Sequence, residues 1–166
     1  MKQLTSTLAV IALLPSVLVG TAYARPAQLP PACQALIGTS FPAWKTATPT
    51  EEVTAWAKTE NLNPVVATGD FDANGQTDWA TIGTDGKKDK VILCLSSAGG
   101  KRLATIDDVG CTDLVYSIKA LTKVPNYDSG KAEVLRRDSV ATSCFEKSGR
   151  IFSYVKGKFR VFYHVD

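Results

Sequence analysis

From Val65 onward the chain alternates short β-branched and apolar runs with residues that turn a backbone sharply. Runs at 65–68, 79–83 and 91–96 are separated by Asn74-Gly75, by Asp85-Gly86 and then followed by Ser97-Ala98-Gly99-Gly100. Further runs fall at 102–106, 114–118, 134–137 and 140–145. Ser148-Gly149 and Lys156-Gly157 mark off a closing pair at 150–155 and 158–165. Such runs read as strands, because branched side chains suit a pleated, half-buried surface. Parallel neighbours need crossovers of about a dozen residues or more, so these spacings demand antiparallel pairing. Residues 124–130 (VPNYDSG) read as a surface loop. The expected fold is mainly β, in the α+β class: an antiparallel twisted sheet or meander with one N-terminal helix packed on it.

That helix has a clear start signal. Thr48-Pro49-Thr50-Glu51 offers an N-cap, a proline at the first helical position and a capping-box glutamate. Val53, Trp56 and Ala57 then share one face, so the spacing predicts a helix over 49–60, ending before Asn63-Pro64. Before it, residues 25–31 (RPAQLPP) form a Pro-rich, extended lead, and 32–37 make a short helical turn. The expected organisation is an irregular segment at 25–48 and one helix-plus-sheet domain at 49–166.

Residues 1–24 read as a secretory signal peptide. Lys2 is the positive start, 8–20 is an apolar stretch broken by Pro15, and Ala22-Tyr23-Ala24 is a small-x-small cleavage site. The apolar stretch is shorter than the roughly 20 residues that span a bilayer. The mature chain is expected to begin at Arg25, to carry no membrane span, and to be periplasmic or secreted. Cys33, Cys94, Cys111 and Cys144 all follow the cleavage site. An even count in an exported chain reads as two disulfides. Three pairings exist and spacing does not choose among them; the expected one joins Cys94 to Cys111 and Cys33 to Cys144. No Cys-x-x-Cys pair points to a metal site instead.

The stretch that carries chemistry is 69–82, GDFDANGQTDWATI. Calcium takes 6–8 oxygen ligands at about 2.3–2.6 Å, and a curled loop supplies them from alternate residues. Asp70, Asp72 and Asn74 alternate, Gly75 permits the sharp turn, Gln76 offers its carbonyl and Asp78 closes the shell. An EF-hand is excluded: Thr81 stands where that loop needs a bidentate glutamate, and the flanks read as strands. Residues 69–82 resemble the calcium-binding hairpin of the FG-GAP and VCBS repeat families. Gly69-Asp70-Phe71-Asp72 matches their opening and Asp78-Trp79-Ala80 their ending, with Trp79 where an aliphatic residue is usual. The resemblance implies bound Ca2+ in a strand–loop–strand hairpin. The motif occurs once, so the chain is too small for the multi-bladed propellers of those families.

Other candidates are weaker in kind. A formal charge of +3 leaves no electrostatic footprint for nucleic acid. The lone histidine, His164, argues against a zinc hydrolase or a His-based triad. Carboxylates at Asp107, Asp108, Asp138 and Glu146 read as solvated residues. In the closing meander, Arg150, Phe152, Tyr154, Lys158, Arg160 and Phe162 interleave cations with aromatics, the composition of a binding face. The expected function is a non-catalytic, exported β module, stabilised by calcium and disulfides. Its expected partner is a protein or glycan in the cell envelope or outside the cell. The alternative is a small secreted hydrolase that uses carboxylates.

Overall fold

The computed structural model describes residues 27–107, 109–110, 113–126, 130–144 and 148–165, the last three by backbone alone. The expected signal peptide, Cys111, Asp108 and Glu146 lie outside the described residues, as does the side chain of His164.

Two helices precede the main sheets, not one. Helix α1 spans Pro31–Ser40. Pro31 sits at its start, where a fixed φ and a missing N–H cost nothing, and Pro30 before it is extended. Its buried residues, Cys33 and Ile37, are one turn apart, so the expected short turn is the beginning of a full helix. Helix α2 spans Glu51–Thr59. Its cap is Thr50, two residues later than expected; the Thr50 hydroxyl oxygen accepts the Val53 N–H at 3.2 Å. Glu51 and Glu52 lie in the first turn and Lys58 in the last, which suits the helix dipole. Val53 and Ala57 are buried as expected.

The strands are β1 (Lys45–Thr46), β2 (Val66–Gly69), β3 (Asp78–Thr84), β4 (Asp89–Ser97), β5 (Gly100–Asp107) and β6 (Leu114–Ile118). They continue with β7 (Lys123–Asn126), β8 (Lys131–Val134), β9 (Ser139–Cys144), β10 (Ser148–Val155) and β11 (Lys158–Val165). All pairings are antiparallel. The first sheet runs β1-β3-β4-β5, with β2 also on β3; the second runs β11-β10-β9-β6; β7 and β8 form a separate hairpin. Two expectations are corrected here. Residues 123–126 are a strand rather than a loop, and the run expected at 134–137 pairs one stretch earlier, at β8. The irregular lead is also partly built in: β1 lies against β3, so close that a Cβ on Gly83 would fall 2.2 Å from the Lys45 carbonyl oxygen.

The two larger sheets pack face to face. Ala67, Ala80, Ile82, Val91, Leu93 and Leu95 from the first meet Val115, Val140, Phe152 and Tyr154 from the second. The Val115 N–H donates to the Pro64 carbonyl at 2.8 Å, which joins β6 to the entry of β2. The other face of β4 carries Ile92 and Cys94, both wholly buried. There Cys94 is disulfide-bonded to Cys33 of α1, with a Cα–Cα separation of 5.9 Å. This overturns both expected pairings: alternation turns Cys94 toward the helix-bearing face, where Cys33 is already buried. Cys144 is also disulfide-bonded. On the outer side of the second sheet, Val124 and Leu135 from the hairpin region cover Ala141, Ile151 and Phe162.

Candidate metal centre

The register of β2 and β3 places Gly69 opposite Asp78, so residues 70–77 are the hairpin connection. Phe71, almost wholly buried, pins the loop to the core between the sheets. Gly69 has no room for a side chain: a Cβ would lie 2.8 Å from Phe71 Cε1 and 3.0 Å from Asp138 Oδ2. Ala73 and Gly75 take positive φ, 60° and 82°, which curls the loop inward.

The side chains of Asp70, Asp72 and Asp78 converge, each offering an oxygen within 4.8 Å of the others. Oxygens that share one cation lie about 3–5 Å apart, so these three carboxylates could hold a metal ion between them. Asp70 accepts the Asn74 and Gly75 N–H groups, both at 2.9 Å. Asp78 is fully buried and accepts from Phe71 N–H at 2.9 Å and Ser96 N–H at 2.7 Å. Burial pushes its carboxyl above the ordinary value of 3.8, and the nearby Asp72 charge adds to this, against the backbone hydrogen bonds from Ser96 and Phe71. Asp72 accepts from Arg102 on one oxygen at 3.2 Å. Its other oxygen, Oδ1, is buried and has no hydrogen-bond partner.

Asn74 and Gln76 occupy different roles in the loop. The Asn74 amide donates to the Ser96 carbonyl at 2.5 Å, and its oxygen accepts the Gln76 N–H at 2.8 Å. That oxygen retains a second lone pair for a ligand bond. Gln76 is exposed at the turn. The structure therefore brings three of the five expected residues together as carboxylates, and Asn74 and Gln76 are exposed in the same loop.

Several neighbours carry no local sequence signal. Asp138 accepts the Asp70 N–H at 3.2 Å, the Ala120 N–H at 2.9 Å and Lys119 Nζ at 2.8 Å. Burial works to raise its pKa, but these three donors together hold it below the ordinary value. Arg137 Nη1 donates to the Asp72 carbonyl at 3.2 Å, and Arg102 Nη1 donates to the Tyr154 hydroxyl at 2.9 Å. The loop is thereby tied to the second sheet from both sides. These residues lie 18–68 positions from their partners, and only folding juxtaposes them.

The expected binding face in the meander is not one face. The register pairs Ile151 with Phe162 and Ser153 with Arg160. Phe162, Arg160 and Lys158 therefore share the outer side, while Arg150, Phe152 and Tyr154 share the inner one. Phe152 and Tyr154 are core residues and Phe162 is buried under the β7–β8 hairpin. Asp107 pairs with Lys90 at 2.6 Å across β4 and β5.

No protein-family model, curated protein or solved structure matches the chain. No helix among the described residues is long and apolar enough to cross a membrane.

Proposed function

We propose that this chain is an exported, non-catalytic β module, periplasmic or secreted, whose 70–78 loop binds calcium and whose surface engages a protein or glycan. The observation that carries the calcium reading is Asp72 Oδ1: a buried carboxylate oxygen without a donor, on a residue whose carboxylate converges with those of Asp70 and Asp78. Burying such a group unpaired costs free energy that a cation offsets. Asp70, Asp72 and Asp78 would hold the ion through side-chain oxygens, with Asn74 and the Gln76 carbonyl completing the shell. Its role would be structural, since the loop joins two core strands and touches both sheets. The hydrolase alternative gains no support. The hollow that holds two carboxylates, Asp70 and Asp138, is open and only about 280 Å³, and both accept backbone N–H groups.

The test is thermal unfolding in calcium and in chelator. An ion bound only to the native state stabilises by about 2.7 kcal/mol at a hundredfold excess over Kd. The melting temperature should rise with calcium, rise less with magnesium, and stop responding in Asp72→Ala. Identical wild-type melting curves in calcium and chelator, with no metal retained on dialysis, would show the loop to be a turn alone.

A further inference from the structure

The described residues expose five large aliphatic side chains, and three of them, Leu121, Val134 and Val155, line a single groove. It lies between the β7–β8 hairpin and the outer face of β10 and β11, with a volume of about 800 Å³. That is ample for a short peptide segment. Leu121 is 81% exposed. It also holds φ at 68°, a left-handed conformation in which glycine or asparagine is at ease and leucine is strained. The Leu121 N–H to Leu135 carbonyl bond, at 2.8 Å, and the Leu135 N–H to Thr122 carbonyl bond, at 2.9 Å, fix that turn. A strained backbone that presents leucine to water is unfavourable for the free chain on both counts. Packing of the isolated module does not account for it.

The electrostatics of the groove are one-sided. Arg136, Arg137 and Arg160 line it against a single carboxylate, Glu133. Glu133 is already spent on Arg160 at 2.6 Å. Arg136 is exposed and makes no ion pair among the described residues. Arg137 turns one nitrogen to the Asp72 carbonyl, and its buried Nε has no partner. Among the described residues, strand β8 pairs with β7 alone, so its other edge has main-chain donors and acceptors to offer.

We propose that this groove is the docking site for an extended acidic peptide segment of a partner protein, with aliphatic side chains seated on Leu121, Val134 and Val155 and carboxylates paired with Arg136 and Arg137. Charge complementarity selects acidic over basic segments, and the free edge of β8 selects a peptide over a saccharide or lipid. The inference takes from the proposed function only that the module has a partner. It does not depend on calcium.

The experiment is fluorescence anisotropy with a labelled synthetic peptide alternating leucine and glutamate, titrated with the full mature chain in calcium and in chelator. Two control peptides replace glutamate by lysine, or leucine by serine. The acidic aliphatic peptide should bind saturably, with each control at least about tenfold weaker. Leu121→Gly and Arg136→Glu should each weaken it about tenfold. Leu121→Gly should not lower the melting temperature, because glycine relaxes the turn, so loss of binding there cannot be ascribed to unfolding. Equal binding of the lysine peptide, or binding unchanged in both variants, overturns the proposal. So does a dimer in sedimentation that Leu121→Gly dissociates, since a second copy would then cover the groove. A protein that binds the peptide but ignores calcium overturns the calcium reading and leaves this one standing.

Discussion

Strand β4 and hairpin β7–β8 meet their neighbouring sheets in opposite ways. Every side chain from Val91 to Leu95 is wholly buried, because β4 has the second sheet on one face and the disulfide-held helix on the other. Among the described residues, the outer face of the second sheet is roofed only by the hairpin and the adjoining Leu135, and the hairpin strands are four residues each. Val134 stays 54% exposed and Leu121 81%. The two regions draw on the same residue types, so composition does not separate them. What differs is whether the apolar area has a partner within the chain. The β4 layer is committed to stability, and the hairpin groove keeps apolar surface in water that a partner can bury.

The widest test of that contrast is a pair of truncations. Leu93→Ala removes a fully buried side chain between two sheets and should cost ~2–5 kcal/mol. Val134→Ala, at the groove, should stay within ~0.5 kcal/mol. Chemical denaturation of both variants measures this. Comparable losses would show that the groove is as much a part of the core as β4.

Next in size is the disulfide. The Cys33–Cys94 bond closes a separation of 61 residues, and the double Cys33→Ser, Cys94→Ser variant should lose ~2–4 kcal/mol. Non-reducing peptide mapping should recover the 33 and 94 peptides together. It should also place Cys144 with Cys111, the remaining cysteine of the chain. Finding Cys94 with Cys111 would detach α1 from β4 and remove the double cover on which the comparison rests.

How far these features were legible in the sequence depends on their range. Strands bounded by Asn74-Gly75, Asp85-Gly86 or Lys156-Gly157 were readable because the turn and the flanking alternation are local. The acidic loop was readable for the same reason: its three carboxylates lie within nine residues. Strand β7 was not. Val124-Pro125-Asn126 has loop composition, and it is a strand because pairing with β8 lets Val124 cover Ile151 and Phe162; Pro125 is tolerated in a short hairpin strand. The cysteine partners depended on a helix that a Pro-rich lead concealed. The meander face failed on parity. Phe152 and Phe162 both interleave with cations, but the antiparallel register sets Phe162 opposite Ile151, and so puts the two rings on opposite sides of the sheet.

The smallest effect expected is a split in pH dependence between two carboxylates that hold the same loop. Burial raises the pKa of Asp78 in the folded state. At this carboxyl the folded state therefore holds its proton more tightly than the unfolded chain does as pH rises above 3.8. Asp78 favours folding fully below that value, and the benefit is lost as pH rises through its raised pKa. Asp138 is shifted the other way by Lys119 and by the Ala120 and Asp70 N–H groups, against its burial. Its contribution is present above the ordinary value of 3.8 and is lost as pH falls through its lowered pKa. In chelator, Asp78→Asn should flatten the decline in stability as pH rises above 3.8, whereas Asp138→Asn should flatten the acid-side loss. With calcium, the raised pKa of Asp78 should have the opposite consequence. The ion needs the ionised carboxylate, so the calcium-induced rise in melting temperature should shrink on acidification at a higher pH than an ordinary aspartate would give. If that rise fades only near or below pH 3.8, Asp78 is not among the ligands, and the loop's buried acid belongs to the core rather than to the ion.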